Sequence, residues 1–129
     1  MHTFKKGERL SRKKTIEQLF SKGKKFYVPG FKVVWLPYPL EDGFPAQILI
    51  SVSKRSFKHA VDRNLLKRRI REAWRQNKGD FYNYLTDKNT SCALSVIYLS
   101  KEIDSYQEIE QKILLVLQRL QSEYEKTSW

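Results

Sequence analysis

Six side chains between residues 63 and 75 have the types and spacing to bind phosphate groups together. On a helix of about 100° per residue they fall within an arc of about 140°. Guanidinium groups grip phosphate oxygens with a planar fork, and lysine adds a point charge. The six are Arg63, Asn64, Lys67, Arg68, Arg71 and Arg75. The segment therefore predicts a helix with one face for a polyanion.

The same helix carries apolar residues on an adjoining arc of about 100°, formed by Leu66, Ile70, Ala73 and Trp74. Packing of this arc against a sheet would hold the basic face rigid. A solvated face without a partner is the ordinary alternative for a run of charges. We favour the binding face, because closely spaced cations repel one another and alternating signs would avoid that repulsion.

Charge is concentrated in two segments of the chain. The formal net charge of the 129 residues is +11, and residues 1–25 and 51–75 each contribute +7, while the other 79 residues sum to −3. Such blocks predict a polyanionic partner, either nucleic acid or an anionic membrane surface. Membrane binding fits worst, because the core needs the apolar face of the basic helix.

Acid–base catalysis by the protein itself has little support in the sequence. The two histidines are His2, near the N-terminus, and His59, just before the basic helix. A general base needs a partner that orients it, and neither histidine has a convincing one. Asp62 suits the first turn of the helix, and Glu72 suits an ion pair with Arg68 or Arg75. We expect no independent protein active site and no metal held by side chains alone.

Length and composition predict a single binding domain over residues 1–129, with a basic, mobile arm at 1–10 and a frayed tail at 126–129. Cys92 is the single cysteine, which excludes an internal disulfide and suggests a reduced, intracellular setting. No apolar run approaches the roughly 18 residues of a membrane span. A soluble, cytoplasmic protein is expected.

Hydrophobic spacing predicts the order α, β, β, α, β, α. The first helix covers about 12–22, with Ser11 as its cap and Gly23 at its end. Strands follow at 31–37 and 46–53, predicted to form a hairpin, with room for a short extra strand near residues 26 and 28. The helix at 60–76 precedes a strand at 92–99.

The last helix has the clearest signal. Ser105 and Glu108 have the spacing of a capping box. An apolar stripe follows at Ile109, Ile113, Val116, Leu117, Leu120 and Tyr124. These elements predict an α+β fold with helices packed on a small sheet.

Three motifs together resemble the signature of the bacterial ribonuclease P protein component. They are SVSKR (51–55), AVDRN (60–64) and LLKRRIREAWR (65–75), and the upstream stretch GERLSRKKTIEQLFSKGKKF (7–26) is similar to the family's N-terminal region. The resemblance covers about residues 5–78. It implies a mixed sheet of about four strands packed with three helices, including a left-handed βαβ crossover.

The resemblance also implies a function. The family's protein binds the catalytic RNA of ribonuclease P and the 5′ leader of precursor tRNA, and assists removal of that leader. Hydrolysis belongs to the RNA and to Mg²⁺ held by the RNA and the substrate. The implied partners are therefore the catalytic RNA and precursor tRNA, with no protein partner evident.

Site residues are carried over from the family by motif position. Arg63 and Asn64 match the first two residues of its RNR motif, whereas Leu65 replaces the third and removes one cation. Arg69 lies outside the main arc and is a poor geometric substitute. The other expected RNA-binding residues are Lys54, Arg55, Lys58, Lys67, Arg68, Arg71 and Arg75.

A cleft for the leader is implied between the first helix and the sheet. Its expected residues are Ile16, Phe20, Lys32, Val34, Ser51 and Ser53. Ile16 and Val34 stand where the family often has aromatics, so Phe20 is the main candidate for stacking on a base. The alternative makes Ile16, Phe20 and Val34 simple core residues.

Two other functions use the same basic helix. A general structural RNA-binding protein, such as a ribosomal or assembly factor, would show no dependence on a 5′ leader. A double-stranded DNA binder would need residues that read base edges, and only Asn64 on the basic face is suited to that.

Overall fold

The computed structural model describes residues 3–40 and 43–126, and these build one mixed four-stranded sheet covered by helices. The strands lie in the order β1-β2-β4-β3. The β1–β2 and β2–β4 pairs are antiparallel, and the β3–β4 pair is parallel. The strands are β1 (Lys24–Val28), β2 (Phe31–Pro37), β3 (Ala46–Val52) and β4 (Cys92–Tyr98).

Four α-helices accompany the sheet, and the α+β class is confirmed. They are α1 (Lys13–Lys22), α2 (Ala60–Asn77), α3 (Gly79–Asp87) and α4 (Tyr106–Lys126). A short 3₁₀ helix, Lys6–Glu8, precedes them. Helix α3 has no counterpart among the three predicted helices. In the described part of the chain, no helix combines the length and hydropathy that crossing a membrane requires.

The predicted hairpin between residues 31–37 and 46–53 is wrong, because β4 lies between those two strands. Their connection contains prolines and is not a tight turn. The hairpin of this sheet joins β1 to β2 through Pro29 and Gly30, and Gly30 has a φ of +86°, which favours glycine. The short strand expected near residues 26 and 28 is β1.

The main core lies between one face of the sheet and helices α2 and α4. The predicted apolar arc of α2 is confirmed, since Leu66, Ile70, Ala73 and Trp74 are all buried. The ring centroids of Trp35 and Tyr124 lie 4.7 Å apart, which ties β2 to α4. Helix α2 is therefore held by one face, and its other face is left for solvent or a partner.

Helix α4 begins with the predicted capping box. The Glu108 amide donates to Ser105 Oγ at 3.2 Å, and the Ser105 amide donates to Glu108 Oε1 at 3.0 Å. All six residues of the predicted apolar stripe are buried. This helix closes the core, as expected from its spacing.

Helix α1 lies across the opposite face of the sheet over a second, smaller core. Leu10, Leu19, Val34 and Ala93 are buried there. The cap position is Arg12, one residue later than the predicted Ser11, and no side chain caps the helix. Gly23 ends the helix as expected, and a Cβ at this position would collide with the carbonyl oxygen of Leu19.

The segment predicted as a mobile basic arm is packed in its described part, residues 3–10. Glu8 is buried, forms an ion pair with Lys78 and accepts a hydrogen bond of 2.7 Å from the Tyr82 hydroxyl. The Leu10 amide donates to the Ile48 carbonyl at 2.9 Å, which attaches the segment to the free edge of β3. Residues 1–2 and 127–129, including His2 and most of the expected tail, lie outside the described residues.

Candidate nucleic-acid interface

The basic face of α2 is at the surface, because the apolar arc of the same helix is buried. Asn64 and Arg68 are exposed, and Lys67 and Arg71 are partly buried. In the described part of the chain, no acidic side chain forms an ion pair with Lys67, Arg68 or Arg71. This row of cations is therefore available to an external anion.

Arg75 differs from the other cations on this face, because it is held by Glu72. Its Nε donates to Glu72 Oε1 at 2.9 Å, and a second guanidinium nitrogen contacts the same oxygen. These hydrogen bonds, with one from Gln76, lower the pKa of Glu72 to about 2. The predicted intrahelical ion pair is thus formed with Arg75, and this arginine is less available to phosphate.

Arg63 anchors the basic loop that precedes α2. Its guanidinium donates to the carbonyl oxygens of Phe57 at 2.8 Å and Lys58 at 2.9 Å. Lys54, Arg55 and Lys58, which this loop carries, are exposed. The first residue of the RNR motif therefore orients other cations, and part of its hydrogen-bonding capacity is already used within the protein.

The third position of the RNR motif is Leu65, so the cation expected there is absent, and Arg69 is the residue to consider as its substitute. Leu65 is partly buried. Arg69 donates to the carbonyl oxygen of Asp104 at 2.6 Å, so its guanidinium supports the loop before α4. Arg69 therefore does not restore the lost cation, in agreement with its position outside the predicted arc.

Arg9 joins the basic face, although the family motifs did not point to it. The pKa of Arg71 is lowered by burial and by the nearby charges of Arg9 and Arg68. Attachment of residues 9 and 10 to the edge of β3 brings the two basic blocks of the sequence together. Only the tertiary pairing could reveal this proximity, since the two arginines are 62 positions apart.

A row of four residues, one from each strand, forms an open floor beside α1. The strand registers place Tyr27 opposite Lys32, Lys32 opposite Ile97, and Ile97 opposite Ser51. Neighbouring strands lie about 4.8 Å apart, so the row spans about 14 Å. Ser53 follows just beyond β3 and is exposed, as is Ser51. The predicted cleft residues Lys32, Ser51 and Ser53 are thus brought to one face.

The other predicted cleft residues divide between surface and core. Phe20 of α1 is 48% exposed. Val34 is 1% exposed and packs beneath α1, so it cannot contact a ligand as the structure stands. Ile16 is partly buried against the same small core. The core alternative therefore describes Val34, whereas Phe20 is free to stack.

Tyr27 is an exposed aromatic that the sequence reasoning missed. Its side chain is 60% exposed, and the Lys32 Nζ lies 6.0 Å from its ring centroid. The two-residue alternation in β1 places Tyr27 on the face opposite Phe26, which is buried in the main core. That alternation was the available signal, and it was obscured because the strand was predicted only as a short extra element.

The donor set of this surface does not fit a divalent cation. Magnesium prefers carboxylate, carbonyl and water oxygens, whereas the α2 face presents ammonium and guanidinium groups and one amide. Within residues 3–40 and 43–126, no three acidic, histidine or cysteine side chains converge on a point. The surface is suited to phosphate oxygens.

Comparison with known proteins gives the same family by sequence and by fold. The family model described as Ribonuclease P matches residues 4–121. The ribonuclease P protein component of Petrotoga mobilis is 32% identical over 123 residues, which cover 93% of this chain and 97% of that protein. That of Porphyromonas gingivalis is 30% identical over 115 residues, covering 89% and 84%.

Solved structures share the architecture. The RNase P protein from Thermotoga maritima aligns with a TM-score of 0.69 at 25% identity, covering 87% of this chain and 96% of that one. The RNase P protein of Staphylococcus aureus aligns with a TM-score of 0.66 at 22% identity, covering 88% and 94%, and supports the fold. With the family model spanning nearly the whole described chain, this protein belongs to the ribonuclease P protein family.

Proposed function

We propose that the α2 face and the loop before it bind the catalytic RNA of ribonuclease P, while the cleft beside α1 binds the 5′ leader of precursor tRNA. The general role follows from family membership: the chain is the protein subunit of the ribonucleoprotein that removes this leader. The observations that support the proposed sites are the row formed by Lys67, Arg68 and Arg71, with which no acidic side chain of the described residues forms an ion pair, and the open floor with exposed aromatics on the opposite face of the sheet.

This protein contributes electrostatic contacts with the RNA and does not itself cleave the bond. Bond cleavage is the work of the RNA, and Mg²⁺ bound by the RNA and the substrate supplies the metal chemistry. Lys67, Arg68 and Arg71 neutralise phosphates of the RNA, and each neutralised phosphate releases condensed counterions. Phe20, Tyr27 and Lys32 hold the leader by stacking and by one ion pair.

The leader cleft is shifted toward β1 in this chain. Val34 is buried and offers no stacking surface, while Tyr27 presents its ring one strand away beside Lys32. Phe20 keeps one aromatic position of the family, and Tyr27 supplies a second exposed ring in place of the aromatics that the family often has at positions 16 and 34. A flexible single strand can follow this path, because stacking tolerates any base.

The test is cleavage of a precursor tRNA by a bacterial ribonuclease P RNA at low Mg²⁺, with and without this protein, and by the protein alone. We expect cleavage at the mature 5′ end only when RNA and protein are both present. Salt-sensitive RNA binding without any stimulation of cleavage would instead favour a general RNA-binding protein.

A matched pair of variants separates specific contacts from total charge. Arg68→Gln removes one cation from the α2 face, and Lys101→Gln removes one from an exposed loop remote in sequence from both basic blocks. We expect only Arg68→Gln to weaken binding of the catalytic RNA. Equal losses for both variants would show that net charge, rather than the α2 face, governs the affinity.

A further inference from the structure

We propose that a pocket at the outer edge of β3 binds one nucleotide of the RNA, with its phosphate on Arg9, Lys67 and Arg71 and its base against the apolar wall. The inference rests on the proposed RNA-binding function and adds a site outside the leader cleft. It also gives a role to Arg9, which the family motifs leave unassigned.

The pocket lies where three parts of the fold meet. Its volume is about 220 Å³, and it is bounded by the N-terminal segment, the edge of β3 and the basic face of α2. Arg9, Lys67 and Arg71 line it together with Phe4, Leu49 and Ile50. Charged and apolar groups therefore line a single concavity.

The charges of the pocket lack a counterion from the protein. In the described part of the chain, no acidic side chain forms an ion pair with Arg9, Lys67 or Arg71. The acids next to them in sequence are engaged elsewhere, Glu8 with Lys78 and Glu72 with Arg75. Three converging cations repel one another, and a bound phosphate would relieve that repulsion.

The open edge of β3 adds hydrogen-bonding groups to the apolar wall. Ile48 accepts a hydrogen bond from the Leu10 amide on the edge opposite β4. Residues two apart in a strand direct their backbone groups to the same edge, so the N–H and C=O of Ile50 face outward as well. A nucleobase has hydrogen-bond donors and acceptors along its edge and a flat, apolar face. The donor and the acceptor of Ile50 match that edge, and the apolar wall matches that face.

The size of the pocket limits its occupant. Sites for drug-sized molecules start at about 300 Å³, and this one is smaller. A lone phosphate would leave the wall formed by Phe4, Leu49 and Ile50 uncovered, and an acidic peptide would bring no planar group to it. A single nucleotide satisfies the cations, the wall and the strand edge together.

The first test compares Arg9→Gln with Lys101→Gln, both exposed, in the full chain. Binding of a single-stranded RNA oligonucleotide and of the catalytic RNA is measured from 50 to 200 mM salt, with thermal melting to confirm folding. Loss of one phosphate contact lowers the salt slope by about 0.7 for a single strand, so the loss of affinity is about 2.6-fold larger at 50 mM than at 200 mM.

The second test identifies what the pocket takes, by following backbone amide signals of the full chain during titration. The probes are adenosine 5′-monophosphate, inorganic phosphate, adenosine and a short oligoglutamate. We expect the monophosphate to shift the amides of Arg9, Leu49 and Ile50 at lower concentration than phosphate or adenosine, and Arg9→Gln to abolish that difference.

The outcomes separate this inference from the proposed function. If the wild-type chain binds RNA but Arg9→Gln behaves like Lys101→Gln, the pocket is not an RNA contact and the α2 proposal stands. Equal shifts from phosphate and the monophosphate, or tighter binding of oligoglutamate, also overturn the nucleotide site. If the wild-type chain binds no RNA, the proposed function itself fails.

Discussion

The arginines of α2 have different roles, and each role depends on what the guanidinium group contacts. Arg63 holds the preceding loop, Arg69 holds the loop before α4, and Arg75 is paired with Glu72. Lys67 and Arg68 have no such partner among the described residues. The helical arc predicted the direction of each side chain, but the reach of a long side chain to a distant carbonyl depends on the tertiary fold.

Arg63→Lys tests the anchoring of the basic loop. Lysine keeps the charge, but its ammonium ends one bond short of the Arg63 Nη1 nitrogen, which donates to the carbonyls of both Phe57 and Lys58. We expect faster hydrogen exchange at the Phe57 amide, which donates to Ser53 at 3.0 Å, and weaker RNA binding. A hydrogen bond to a charged group contributes about 1.5–3 kcal/mol, so the exchange should rise about tenfold or more.

Arg68→Lys is the control, because Arg68 is exposed and its side chain makes no hydrogen bond within the described residues. It should leave exchange at Phe57 unchanged. Unchanged exchange in Arg63→Lys as well would mean that the loop is ordered without this anchor, and that Arg63 is simply another surface cation.

Tyr27→Ala and Phe20→Ala test the shifted leader cleft. Each change removes an exposed ring, so the fold should be little affected, while stacking on a base is worth about 1–3 kcal/mol. We expect each variant to weaken binding of precursor tRNA by about fivefold or more, with little effect on mature tRNA. Tyr27→Phe retains the ring and should bind like the wild type; equal losses for precursor and mature tRNA would contradict a leader contact.

At the scale of elements, the sequence predicted where most helices and strands begin and end, but it did not predict which strands pair with each other. The spacing in α2 and the capping box of α4 are local signals, and both helices appear where they indicated. The position of β4 between β2 and β3 depends on contacts distant in sequence. Strand β4 is buried along nearly its whole length, as a central strand should be. Strand β3 has a similar pattern, so the sequence alone does not show which of the two is central.

Helix α3 and the N-terminal segment show two further limits of local reasoning. The helix is nine residues long, and only Phe81 and Leu85 are buried, so its apolar period is too short to stand out. The sequence predicted a mobile basic arm at the N-terminus. Glu8, the one acidic residue of positions 1–10, nevertheless forms a buried ion pair with Lys78. A buried pair of this kind leaves no periodic signal.

Glu8→Gln tests how the N-terminal segment is held. The change leaves the Lys78 ammonium buried without its counterion, which typically costs about 3–5 kcal/mol. We expect a fall in the free energy of unfolding of about 3 kcal/mol in urea denaturation, together with weaker RNA binding because Arg9 is displaced. The double variant Glu8→Gln, Lys78→Met should recover much of the stability, since no unpaired charge remains.

Glu17→Gln on α1 is the matched control, because Glu17 is exposed. Its effect on unfolding should lie within about 0.5 kcal/mol. A Glu8→Gln protein as stable as Glu17→Gln would show that the segment is held by its apolar contacts and its strand pairing alone.

At the scale of the whole molecule, folding converts two separate basic blocks into one charged surface. The pairing of Arg9 with Ile48 places the first block beside α2, the main part of the second. Charge counts along the sequence predicted a polyanionic partner, and the helical spacing of residues 63–75 predicted the α2 face. Their junction at the edge of β3 could not be predicted, because it depends on how the N-terminal segment docks.

Salt dependence tests this surface as a unit. Six of the predicted RNA-binding cations keep their side chains free of ion pairs and hydrogen bonds within the described residues: Lys54, Arg55, Lys58, Lys67, Arg68 and Arg71. If all six neutralise phosphates, the slope of log K against log salt should be about −5 for duplex RNA and about −4 for a single strand. Filter binding or fluorescence anisotropy across 50–400 mM salt measures this slope.

Two single variants determine whether the slope belongs to this surface. Arg68→Gln should reduce its magnitude by about 0.9 on a duplex, because one phosphate contact is lost. Arg75→Gln should reduce it less, because Glu72 already neutralises Arg75 and that carboxylate, with its pKa lowered to about 2, stays charged throughout the working pH range. Equal reductions would mean that RNA displaces Glu72 from Arg75, and the surface would then extend to the end of α2.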